Sequence, residues 1–143
     1  MASPTYIHPF ALDSQLRWIS DKATRVCLVS SFARSDTYAQ VVAKILCYKH
    51  VSGGPLFGDE YDVITGNGAD ADAPNRAMDF LGGDSDPAIL GNGTGSDCGI
   101  VVLDDANNRV LLATDDRGNR VIALNDIVTL YPFTFMSSQQ KLA

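Results

Sequence analysis

Chemistry needs side chains that attack, carry protons or hold metals, and in this chain the candidates are two histidines, three cysteines and one Asp-rich stretch. Nucleophilic catalysis sets a Ser, Cys or Thr within hydrogen-bond reach of a base. His8 stands before Pro9 in what reads as an extended start, and His50 closes an apolar run. Neither lies in a motif that joins it to a nucleophile. Cys27, Cys47 and Cys98 are each embedded in apolar sequence without Cys-x-x-Cys spacing, so they read as buried free thiols rather than as a disulfide or a metal site. No catalytic residue is assigned, and the chain reads as non-enzymatic.

Two further segments have the composition of a ligand loop. Asp59, Glu60, Asp62, Asn67, Asp70 and Asp72 offer oxygen ligands of the kind Ca²⁺ takes. Their spacing matches no helix–loop–helix calcium site, and acidic loops are ordinarily just solvated. Gly91-Asn-Gly93-Thr-Gly95 has the glycines of a phosphate loop, but such a loop follows a strand and opens a helix whose N-terminus receives the anion. Here Gly95 leads into a strand pattern, so the glycines read as turn residues. No metal, cofactor or phosphate site is assigned.

What remains is the scaffold. Leu12, Leu16, Ile19 and Ala23 recur at helical spacing and predict a helix over 12–23, followed by a strand at 25–31. Ser35-Asp-Thr37 offers an N-cap for a short helix at 38–43, and 44–51 reads as a second strand. Residues 52–74 form a long loop of Gly, Asp, Asn and Pro with one short strand at 61–65, and 76–81 is a strand closed by Gly82-Gly83. In the last third, Cys98-Gly-Ile-Val-Val-Leu103 and Arg109-Val-Leu-Leu-Ala-Thr114 flank the turn formers Asp104-Asp-Ala-Asn-Asn108 and predict a hairpin. Strands at 120–124 and 127–136 follow, with Asp115-Asp116 in a turn. The fold class is mainly β with a short N-terminal helical part (α+β), a small antiparallel β-sandwich or barrel-like domain with extended termini. Residues 1–11 read as an arm, 12–136 as one β-rich domain and 137–143 as a polar tail. Most aromatics fall on apolar faces and read as core, with Tyr6, Phe10 and Phe57 as the exceptions in extended or loop sequence.

Composition narrows the partners. With 11 basic against 17 acidic residues and a net charge of −6, no cluster of Lys or Arg exists to neutralise phosphates, so neither nucleic acid nor an anionic membrane is expected as a partner. No apolar run approaches the roughly 18–20 residues of a membrane-spanning helix. The start lacks the basic and apolar regions of an export signal, which implies synthesis in a cytoplasm.

The order of segments resembles a group of small tailed-bacteriophage virion proteins encoded near the major capsid protein. The resemblance is carried by Leu12-Asp-Ser-Gln-Leu16 in the first helix, then Val26-Cys-Leu-Val-Ser30 and Thr37-Tyr-Ala-Gln40. It continues through the β-segments Gly99-Ile-Val-Val-Leu-Asp104, Val110-Leu-Leu-Ala-Thr114, Val121-Ile-Ala-Leu124 and Ile127-Val-Thr-Leu130. It spans nearly the whole chain; the Asp/Gly-rich stretch 53–74 and Tyr131-Pro-Phe-Thr-Phe135 depart from it. The resemblance implies a virion structural protein made in the host cytoplasm, most commonly a capsid decoration or cement protein on the outside of the head, with the major capsid protein as partner and a homotrimer as its assembly. It also implies that residues 1–10 and 137–143 clamp neighbouring subunits through Tyr6, Ile7 and Phe10. The alternatives are a head–tail connector, neck or tail accessory protein, and a host-surface carbohydrate-binding module.

Overall fold

A computed structural model describes residues 7–52, 56–64 and 70–139. The fold is mainly β with an N-terminal helix, and every strand pair is antiparallel. The elements are α1 (Pro9–Lys22), β1 (Arg25–Val29), α2 (Tyr38–Val42), β2 (Ile45–His50), β3 (Tyr61–Val63), β4 (Asn75–Phe80), β5 (Gly83–Asp84), β6 (Ser96–Asp104), β7 (Arg109–Arg120), β8 (Thr129–Leu130) and β9 (Phe133–Ser137). A four-stranded sheet runs β2-β1-β6-β7, a three-stranded sheet runs β3-β4-β9, and β5 pairs with β8. Both sheets are open, so of the two architectures expected the barrel-like one does not form.

β1 and β6 read as unbroken apolar runs because the first sheet is covered on both faces. One face gives Val26, Leu28, Ile100 and Val102 to a core shared with Met78, Phe80 and Phe135 of the second sheet and Leu16 of α1. The other gives Cys27, Val29, Val101 and Leu103 to a smaller cluster closed by Val41 of α2, Phe32 and Tyr38. α2 is held by a capping box: the Thr37 hydroxyl accepts from the Gln40 amide, and the Gln40 side chain accepts from the Thr37 amide.

Several sequence expectations are corrected. α1 begins at Pro9, where fixed φ and a missing N–H suit a first helical turn, so residues 9–11 belong to the helix and not to an arm. The 98–114 hairpin forms around a 3₁₀ turn at Asp105–Asn107, with Asn108 at φ 54°, a conformation Asn tolerates through its short polar side chain. Its second strand does not stop at Thr114. β7 continues through Asp115 and Asp116 to Arg120, and the register steps from Gly99 opposite Asp115 to Asp97 opposite Asn119. The expected turn there is absorbed because the fully buried Asp116 carboxylate pairs with Arg120 at 2.6 Å inside the strand. With Arg120 in β7, no separate strand forms over 121–124.

The expected strand 127–136 is broken into β8 and β9 at Tyr131-Pro132, since Pro132 has no N–H for the ladder. Opposite it, Gly82 sits at φ 81°, and a Cβ there would lie 2.8 Å from the Leu130 carbonyl oxygen. Phe57 is buried, not a free loop aromatic, with its ring 5.7 Å from Phe80 and 6.0 Å from Phe135. The tail is also shorter than expected: Ser137 ends β9, and the Gln139 amide donates to Asn75 Oδ1 at 2.8 Å while its Nε2 donates to the Ile7 carbonyl at 2.6 Å. Tyr6 and residues 140–143 lie outside the described residues.

Candidate functional site

The two histidines and three cysteines singled out in the sequence sit as follows. His8 caps α1, its Nδ1 accepting from the Phe10 amide at 3.1 Å, and the His50 ring packs 5.3 Å from Tyr48. Cys27, Cys47 and Cys98 are buried free thiols, and burial pushes Cys27 up to about 12, so it stays protonated. The acids of the long loop are not brought together. Glu60 pairs with Arg17 of α1, Asp62 pairs with Arg76 at 2.6 Å, and Asp70 Oδ1 accepts from the Asp72 and Ala73 amides. Asn67 lies outside the described residues. Among the described residues no group of three or more metal-capable side chains converges.

Asp105 is the most heavily bonded carboxylate. It takes two hydrogen bonds from Arg25, at 2.8 and 2.9 Å, one from the Tyr38 hydroxyl at 2.6 Å and one from Thr24 Oγ1 at 2.7 Å. Partial burial alone would raise this carboxyl, but the bonds from Arg25, Tyr38 and Thr24 outweigh it and hold it down at about 2. The cluster ties β1, α2 and the hairpin turn together.

The unusual feature lies elsewhere, on two neighbouring segments without regular structure. Residues 88–92 run beside 122–126: the Ala88 amide donates to the Asp126 carbonyl at 2.8 Å, Asn125 N to the Ala88 carbonyl at 2.8 Å, and Asn92 N to the Ile122 carbonyl at 3.1 Å. Asn92 completes the join through its side chain, accepting from Ile122 N at 2.8 Å and donating to the Arg120 carbonyl at 2.7 Å. The undersides, Ala88, Ile122 and Val128, enter the core. The outer sides carry Ile89, Leu90, Val121, Leu124 and Ile127, which are 53%, 44%, 65%, 62% and 59% exposed.

Single exposed aliphatics are ordinary on a protein surface; here five exposed aliphatics fall on two segments that are hydrogen-bonded to each other. The backbone beneath them is hydrogen-bonded within itself. The Ala123 amide donates to Asp126 Oδ2 at 2.8 Å, and the Asp126 amide returns to the Ala123 carbonyl. The sequence reads as strands at 120–124 and 127–136 and as turn glycines at 91–95, and so does not show these exposed positions. The available signal was Ala88-Ile-Leu90, an apolar triplet between Pro87 and Gly91 in an otherwise polar stretch. Of the arm residues expected to fill pockets, Phe10 is 71% exposed and Ile7 is fastened to Gln139.

Compared with protein-family models, with curated proteins and with solved structures, the chain matches none.

Proposed function

We propose that this chain is a non-enzymatic structural protein of a tailed-bacteriophage virion, a capsid decoration or cement protein that binds the outer surface of the major capsid protein lattice and stabilises the head. The observation that carries the reading is the apolar surface of Ile89, Leu90, Val121, Leu124 and Ile127, backed by hydrogen-bonded segments on a doubly covered sheet. The order of segments that resembles small virion proteins supports it as well. A net charge of −6 suits a particle exterior better than a DNA-lined interior, where phosphates would repel it.

The mechanism is burial against a preformed surface. Apolar area removed from water is worth about 25 cal/mol per Å² before the costs of association, and a rigid patch keeps those costs low because little ordering remains to be done on binding. Residues 9–10 and 137–139 belong to the folded body, so in this reading they support the seat rather than reach out as arms. The test is binding of the purified chain to heads that lack it, followed by sedimentation. Wild type is expected to co-sediment, and Leu124→Asp/Ile127→Asp to stay in the supernatant while keeping its circular dichroism. Equal co-sedimentation of the two would sink this seat.

A further inference from the structure

The two larger sheets end in four outer strands, and three of them are protected. The outer edge of β2 is covered by 86–90, whose Asp86 and Ile89 amides donate to the Tyr48 and Leu46 carbonyls at 2.8 Å. β7 is interrupted where Leu103 faces Val110 but Val102 faces Leu112. The extra residue puts both Leu111 and Leu112 on the face of the larger core, and such bulges spoil an edge as a template. β3 is only three residues long and carries the charge of Asp62 at its centre.

Among the described residues, β9 has none of these devices. Phe133-Thr-Phe-Met-Ser137 contains no charge, proline or glycine, and it pairs with β4 through five consecutive residues without a register shift. Among the described residues, no backbone group outside β4 bonds to it. Its faces alternate cleanly, with Phe135 and Ser137 buried, Phe133 half-buried, and Thr134 and Met136 exposed.

We propose that β9 pairs with β9 of a second copy of this chain, antiparallel and centred on Phe135, joining two three-stranded sheets into one across a two-fold axis. The register follows from the sequence itself. Centring on Phe135 sets Phe133 against Ser137 of the second copy, Thr134 against Met136, and Phe135 against Phe135, so each opposed pair lies on one face. A slip of one residue would set core-facing side chains against outward-facing ones. A slip of two would keep the faces but engage only three of the five residues. No like charges meet at any position, and unpaired N–H and C=O groups of both strands find partners, as in other strand-addition interfaces. On the outer face Met136, 49% exposed, arrives beside Thr134 of the other copy, at the rim of a cavity of about 420 Å³ that Asp79, Leu81, Pro132 and Phe133 also line.

The contact is isologous and closes on itself as a dimer, in place of the three-fold ring that the resemblance implies. It stands independently of the virion reading, because it is measured on the isolated chain without particles. The experiment is sedimentation and light scattering of the full-length chain over a concentration series, for wild type, Thr134→Lys/Met136→Lys and Thr134→Lys/Met136→Glu. Both positions are exposed, so both variants are expected to fold, and circular dichroism checks this. The first variant opposes Lys with Lys at two pairs, and the second opposes Lys with Glu at the same two pairs. Wild type should be a dimer, the Lys/Lys variant should dissociate at about tenfold lower affinity, and the Lys/Glu variant should recover the dimer with a dependence on salt. A monomeric or trimeric wild type would overturn the proposal, and so would equal dimerisation of the two variants.

Discussion

β6 and the segment 121–128 are both rich in aliphatic residues, yet they end in opposite surroundings. β6 is paired on both edges, and its faces feed two clusters, so Val101, Val102 and Leu103 are fully buried. In the 121–128 segment Ile122 and Val128 are buried, while Val121, Leu124 and Ile127 are exposed. The first run is covered on both faces, and the second leaves Val121, Leu124 and Ile127 in water. Changes in the first should therefore damage folding, and changes at the exposed positions of the second should leave the fold intact and, on the proposed function, weaken only binding.

The largest expected loss comes from the joint that seats α1 on the second sheet. Arg76 donates to both oxygens of Asp13, at 2.7 and 3.1 Å, and Asp13 is 1% exposed. Arg76→Ala strands that carboxylate, and urea denaturation should show a loss of about 3–5 kcal/mol. Leu103→Ala, within β6, should cost about 2–5 kcal/mol through the cavity it leaves. A value under about 1 kcal/mol at either position would break the contrast.

The Asp105 cluster gives the pH dependence. Its folded carboxyl sits at about 2, below the ordinary value of 3.8, so its contribution is present above about pH 4 and is lost as the pH falls toward and through 2. The effect is about 2 kcal/mol at most, reduced because the side chain is 28% exposed. Asp105→Asn should lower stability at pH 7 and flatten its decline between pH 4 and 2, as read by denaturation at a series of pH values. Thr37→Ala, which opens the capping box of α2, should cost about 1 kcal/mol in the same assay. Smallest of all, Leu124→Ser with Ile127→Ser should change stability by about 0.5 kcal/mol or less, since both side chains are already in water.

The sequence shows the first sheet well because its signals are local. β1, β2 and the 98–114 hairpin are continuous apolar runs bounded by turn formers, and Thr37 with Gln40 spells out a helix start. The end of β7 is hidden because it depends on the Asp116–Arg120 pair and a register step, which make a strand from residues that look like a turn. The division of 127–136 could be suspected at Pro132, but its partner kink at Gly82 lies far away in the chain. The apolar surface is the least legible part. Whether Val121 or Ile122 faces inward is decided by Asn92, about thirty positions earlier, whose side chain pins the segment at Arg120 and Ile122.

The central claim is a place on the outside of a phage head, and quantitative mass spectrometry of purified virions tests it most directly. A lattice-wide decoration protein is predicted at a ratio of about one third to one relative to the most abundant capsid protein, as capsid symmetry sets. A ratio on the order of one hundredth would place the chain at the neck or tail instead. Its absence from virions would contradict the virion reading altogether.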